Sequence, residues 1–197
     1  MPNTVLRSMF LESVTPSTII ETTQKLKYKY SFGHDGISSK ILKHSINIIA
    51  VPITHIINRS LATCLVPGKL KLAKFKAIFK STDSSQITNY RSISLLPDCS
   101  KLLENIMYDK LLSFLNANNI LYKHQYGFRS RNSTIHPIMH LLNHCAHTSN
   151  NINPEYTLAN LCDLSKASYV INHKILLQKL NNYGICGIAN KWLSDRT

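Results

Sequence analysis

The chain has 197 residues, with 23 lysines and arginines against 10 aspartates and glutamates, a formal charge of +13, yet it is 44% hydrophobic and only 17% charged. That composition excludes a disordered polycation, and a chain of this length folding as one unit buries roughly 70% of its unfolded surface. The surplus positive charge calls for an anionic partner, a phosphate backbone or an acidic membrane surface.

No run of 18 apolar residues occurs, and the amino terminus lacks the basic, apolar, small-residue layout of a secretion signal, so a soluble intracellular protein is expected. Cys64, Cys99, Cys145, Cys162 and Cys186 are widely spaced, with no C-x-x-C pair; they read as reduced core or near-core thiols.

Residues 1–14 read as an N-terminal tail. Thr15-Pro16-Ser17 is a helix start, threonine as N-cap and proline at the first helical position. Ile19, Ile20, Thr23 and Leu26 make an apolar stripe, and Lys25, Lys27 and Lys29 oppose the negative end of the helix. Gly33-His34-Asp35-Gly36 breaks the pattern. Ser38 or Ser39 then caps a second helix through Leu42, Ile46 and Ala50, which Pro52 kinks or restarts and Pro67-Gly68 stops.

From Lys74 to Lys80 lysines interleave with apolar residues, the alternation of a half-buried strand. Tyr90 to Leu96 is the returning strand, so a basic hairpin is expected. Ser100 caps the next helix, with Leu102, Leu103, Ile106, Leu111, Leu112 and Leu115 on one side. Further helices are expected at about 134–147 and, capped by Asn172, at 174–183. Between them, Tyr156 to Asp163 reads as a short strand ending on an acid. Helices dominate with few strands, so the class is α+β.

An acid at the end of a strand is a site type that holds a divalent metal, which singles out Asp163; a turn or cap aspartate is the plainer alternative. Lys80 and Arg91, on the two arms of the hairpin, suit a triphosphate, or else a solvated strand face. Arg129 and Arg131 beside Tyr126 and Phe128 combine guanidinium groups with flat rings, a mixture that grips backbone and stacks bases. His136, His140, His144 and His147 share one helical face, but four rings in a row spread over about 16 Å, and a solvated or nucleic-acid-facing stripe is favoured over a metal site.

Taken in order, these segments resemble the reverse transcriptase domain of non-LTR, jockey-like retrotransposons. Gly33-His34-Asp35-Gly36-Ile37-Ser38 is similar to the family's GxDGI block. Ile78-Phe79-Lys80 with Asn89-Tyr90-Arg91-Ser92-Ile93-Ser94-Leu95-Leu96 is similar to its IFK…NYRPISLL hairpin, and Lys101-Leu102-Leu103-Glu104 to the following K-x-x-E helix. Gln125-Tyr126-Gly127-Phe128-Arg129 with Asn132-Ser133-Thr134 resembles QxGFR…ST. Cys162-Asp163-Leu164-Ser165-Lys166-Ala167 resembles palm motif A, DLSKAFD.

The resemblance implies a right-hand polymerase, fingers over about 15–155 and partial palm over about 156–197, mostly helical with the basic hairpin and a short palm strand. It implies Asp163 as catalytic metal ligand with the carbonyl of Leu164 beside it, and Mg2+ as the ion. Lys80, Arg91, Gln125, Tyr126, Gly127, Phe128 and Ser168 would meet the incoming deoxynucleotide triphosphate. Lys74, Lys76, Arg129 and Arg131 would hold the RNA template or RNA/DNA hybrid. No membrane partner is implied.

The sequence departs from the family pattern at Phe32, at Ser92 and at Ser168-Tyr169, where Pro, Pro and Phe-Asp are usual. The [FY]-x-D-D hairpin does not occur, and Asp195 is the only acid after Asp163. The expectation is therefore a truncated polymerase domain that binds nucleic acid but does not polymerise alone. The alternative is a host-retained or relic binding module without catalysis.

Overall fold

The computed structural model describes residues 8–80, 83–149, 156–164, 167 and 170–196. Among them lie helices α1 (Pro16–Lys25), α2 (Ser39–Thr63) and α3 (Gly68–Lys71), strands β1 (Lys74–Phe79) and β2 (Tyr90–Leu95), then α4 (Asp98–Ala117), α5 (Ile135–Ser149), α6 (His173–Asn182) and α7 (Gly187–Arg196). The α+β class holds, with one two-stranded antiparallel sheet. The chain divides into two units, the first up to Phe114 and again from Asn172, the second Leu115–Ile171.

In the first unit the local signals act as their chemistry requires. The Thr15 hydroxyl accepts from the Thr18 N–H, and Pro16 opens α1 without losing a hydrogen bond. The helix ends at Lys25, so Lys27 and Lys29 lie beyond its last turn and do not cap it. Ser38 is the N-cap of α2, which continues unbroken through Pro52 and stops earlier than Pro67, at Thr63, where Cys64 turns into the left-handed region with φ 60°. Proline is tolerated in α2 because that turn faces outward: Ile48, which carries the carbonyl left without its N–H partner, and Val51 are exposed.

The core follows the helical period. Leu42, Ile46, Ala50, Ile57 and Leu61 of α2 are buried with Ile19 of α1, Leu102, Leu103, Ile106 and Met107 of α4, and Ala189 and Trp192 of α7. Before α1, Met9 and Val14 are buried too, the Met9 N–H donating to the Gly184 carbonyl (2.8 Å) and the Val14 N–H to Asn58 Oδ1 (2.7 Å). The α6 cap is the one expected, with Asn172 Oδ1 accepting from the Ile175 N–H.

Several expectations need correction. Helix α4 starts at Asp98, not at a Ser100 cap; the Ser100 hydroxyl is inside the first turn and donates to the Leu70 carbonyl (2.6 Å). The hairpin is present with Lys74 opposite Leu95 and Phe79 opposite Tyr90, but β1 is exposed along its whole length and is not half-buried. Cys162 is exposed, not a core thiol. Helix α7 was not expected: its only buried residues are Ala189 and Trp192, too few to show as an amphipathic period.

In the second unit, 156–164 carries no strand. The alternation of Tyr156, Leu158 and Leu161 is real, but a strand exists only when its N–H and C=O groups find a neighbouring strand, and none pairs with it among the described residues. Helix α5 forms where expected, with no buried side chain.

Candidate nucleic-acid and nucleotide interface

In an antiparallel ladder, residues directly opposite one another share a face, and alternate residues of one strand stay on that face. Lys76 is opposite Ile93, Ile78 opposite Arg91, and Lys74 opposite Leu95. One face of the hairpin therefore carries Lys74, Lys76, Ile78, Ile93 and Arg91. The Lys80 N–H donates to the Asn89 carbonyl (2.8 Å), which continues the register by one residue and adds Lys80 to that face. Arg91 is then the diagonal neighbour of Lys76 on one side and of Lys80 on the other, a separation of about 7–8 Å. Neither strand contains an acid. Four like charges so placed repel unless an anion stands between them, and the Arg91 fork suits the geometry of a phosphate.

The opposite face carries Phe75, Ala77 and Phe79 with Ser94, Ser92 and Tyr90. Phe79 and Tyr90 meet with ring centroids 5.5 Å apart, while Phe75 is 74% exposed. The loop between the strands is tied internally. The Asp83 carboxylate accepts from the Ser85 N–H (2.9 Å) and hydroxyl (2.8 Å), which holds its carboxyl below the usual range. The Tyr90 hydroxyl donates to the Ser84 carbonyl (2.9 Å).

The base of the hairpin depends on Gly33. A Cβ there would stand 2.6 Å from Pro97 N and 2.9 Å from the Leu96 carbonyl carbon, so only glycine lets these two backbones touch. The Asp35 carboxylate accepts from the Ile37 N–H (3.2 Å), closing the turn that Gly36 completes at φ 71°. Phe32 pairs with Ser38, and its ring lies 5.9 Å below the Lys74 ammonium.

The second unit holds the remaining candidates. Gln125, Tyr126, Gly127 and Phe128 follow one another in a turn-rich loop, where Gln125 Nε2 donates to the Gly127 carbonyl (3.4 Å) and Arg129 to the Tyr122 carbonyl (3.3 Å). Phe128 and Arg131 adopt φ of 60° and 66°, a conformation that costs a non-glycine residue energy, and Phe128 is 99% exposed. The His140 ring packs 4.8 Å from His124 and 6.3 Å from Tyr126, so one ring of the α5 histidine row anchors this loop. The His136 ring is engaged by the Ser133 N–H (2.9 Å).

Asp163 and Leu164 are exposed, in the segment without regular structure; the Thr157 hydroxyl nearer its start meets that of Thr148 (3.0 Å). A hard divalent ion needs several oxygen ligands, and no three acidic, histidine or cysteine groups converge among the described residues. These residues do not by themselves make a two-metal centre. Ser168 lies outside the described residues. Asp195, the other acid of the C-terminal part, is occupied structurally: it pairs with Lys71 (2.8 Å) and accepts from the Val66 N–H (2.7 Å).

Residues 78–196 match the reverse transcriptase (RNA-dependent DNA polymerase) family, and the chain belongs to it. Among curated relatives, it is 27% identical over 199 residues to the probable RNA-directed DNA polymerase from transposon BS of Drosophila melanogaster, covering 96% of this chain and 21% of that protein. To the RNA-directed DNA polymerase from mobile element jockey of the same organism it is 25% identical over 173 residues, 87% of this chain and 19% of that protein. The probable polymerase from transposon X-element is 29% identical over 121 residues, 61% and 13% respectively. The chain thus spans about a fifth of the length of the first of these, and the resemblance to jockey-like non-LTR elements stands.

Proposed function

We propose that this chain is a nucleic-acid-binding part of an RNA-directed DNA polymerase from a non-LTR element, with fingers over about 15–155 and part of the palm over about 156–197. The observation that carries the reading is the acid-free hairpin face, on which Lys74, Lys76, Lys80 and Arg91 gather around Ile78 and Ile93. Arg91 and Lys80 take the triphosphate of an incoming deoxynucleotide, and Lys74 and Lys76 the backbone of an RNA template or RNA/DNA hybrid. In the second unit, Gln125, Tyr126, Gly127 and Phe128 offer a wall to base and nucleotide, and Arg129 and Arg131 meet phosphates.

Asp163, with the Leu164 carbonyl, supplies one carboxylate of a centre for divalent ions such as Mg2+. Such substrates place the protein inside the cell.

The test is binding of a labelled RNA/DNA hybrid by fluorescence anisotropy. Wild-type affinity falls steeply between about 50 and 200 mM salt. Lys76→Glu/Arg91→Glu weakens it by about tenfold or more and flattens the salt dependence, because two phosphate contacts are lost. Affinity indifferent to salt, or unchanged in the double variant, overturns the reading.

A further inference from the structure

Away from the hairpin, the segment Lys25-Leu26-Lys27-Tyr28-Lys29-Tyr30 alternates cations with apolar or aromatic residues. It leaves α1 and is fixed in place by the next helix. Ser39, buried at the start of α2, accepts from the Lys29 N–H (2.9 Å), and its own proton lies within reach of the carbonyls of Lys27 (2.9 Å) and Lys29 (3.2 Å). Lys43, also buried, donates to the Gln24 carbonyl (2.7 Å). The backbone is therefore organised before any ligand arrives, which lowers the entropy cost of binding.

Beside it opens a cleft of about 250 Å³ whose lining includes Lys25, Lys27, Lys29, Lys101 and Asn105, with Asp98 the single acid. Lys101 is steadied by Asp98 (2.7 Å). Tyr28 and Tyr30 alternate in the chain with the lysines of this wall, stand outside the cleft lining, and are 66% and 82% exposed. Each ring has an ammonium against it, Lys43 at 4.4 Å from the Tyr28 centroid and Lys40 at 5.7 Å from that of Tyr30. Exposed rings two residues apart, on a segment whose intervening lysines line a cleft, are the combination that grips a backbone and stacks unpaired bases; a duplex, whose bases are already stacked, would leave the rings unused.

We propose that Lys25 to Tyr30, with Lys101, form a ledge for single-stranded nucleic acid, the phosphates entering the lysine cleft and two bases stacking on Tyr28 and Tyr30. The proposal shares with the preceding one the class of polymer but none of its residues.

The test is anisotropy of an unstructured labelled RNA of about 12 nucleotides, a length within the range of single-strand sites, with the whole chain. Lys27→Glu/Lys29→Glu should weaken binding about tenfold at about 100 mM salt and lower the salt slope by about 1.4. Tyr28→Ala/Tyr30→Ala should weaken it about 30-fold or more, since two stacked bases are lost, and leave the slope unchanged. Lys191→Glu, on exposed α7 surface, is the control for charge, and far-UV circular dichroism confirms folding.

If both double variants bind within about twofold of that control, the ledge is overturned. If only the hairpin variant Lys76→Glu/Arg91→Glu loses this RNA, the proposed function survives and the ledge is overturned; if only the ledge variants lose it, the ledge stands and the hairpin is decided by its own loss of the RNA/DNA hybrid. Displacement of RNA by polyglutamate together with wild-type affinity in the tyrosine variant assigns the cleft to an acidic protein and also overturns it.

Discussion

Two residues outside the binding surfaces decide how well those surfaces are held. At Gly33 the backbone touches the Leu96–Pro97 peptide, and the atoms that a Cβ would strike are main chain, which cannot swing aside. Gly33→Ala should therefore cost about 1–3 kcal/mol, as overpacking does, read as a lower denaturant midpoint at unchanged slope; an unchanged midpoint would refute the contact. At Asp195 the Lys71 side chain, and after it the Val66 N–H, hold the carboxyl below its usual range, with burial opposing weakly. Because the folded pKa is below the unfolded value of about 3.9, the unfolded chain binds more protons in between. The stability this carboxylate contributes is present above that value and lost as pH falls through the folded pKa. Wild type should exceed Asp195→Asn in stability at pH 5 to 7 and lose that lead below about pH 4. A lead that persists undiminished in stronger acid would show that the charge is not its source.

Among the elements, α2 and α5 form a contrast that hydrogen exchange can read. Nine residues of α2 are buried, and none of α5. Amides of the α2 core turns should be far better protected than those of α5, since a helix without buried contacts opens at little cost; equal protection would contradict the difference in burial. The same contrast explains what was legible beforehand. Thr15-Pro16, Ser38 and Asn172 act through bonds to the next turn, and the hairpin through alternation and matched strand lengths, so all could be read locally. The basic arms were legible as well, but which of their residues stand opposite one another is set by the register, which strand lengths alone do not give. What could not be read depends on distant neighbours. Ser100 looks like a cap, but the Leu70 carbonyl takes its hydroxyl. Residues 156–163 alternate like a strand without a strand to pair with. Helix α7 is held by Trp192 Nε1 donating to the Ser60 hydroxyl (3.1 Å) and by Arg196 bound to Glu104, contacts that no local pattern announces. At the site, Asp163 is legible as an acid in a familiar motif, whereas the ledge at Lys25 to Tyr30 is hidden in the sequence, where its lysines look like the basic end of a helix.

At the scale of the molecule, the first unit is assembled from two stretches of chain separated by the whole of the second. Trp192 reaches Ser60 across 132 residues, and Met9 bonds to Gly184. Closing so long a loop costs entropy that local helices do not pay, so this half of the packing belongs to the late, slow part of folding. Synthesis adds a delay of its own. At ribosomal speed, on the order of ten seconds pass between the making of Ser60 and of Trp192. Throughout that interval the nascent chain displays the apolar side of α2 that α7 will cover, a binding site for chaperones that exists only while the protein is being made.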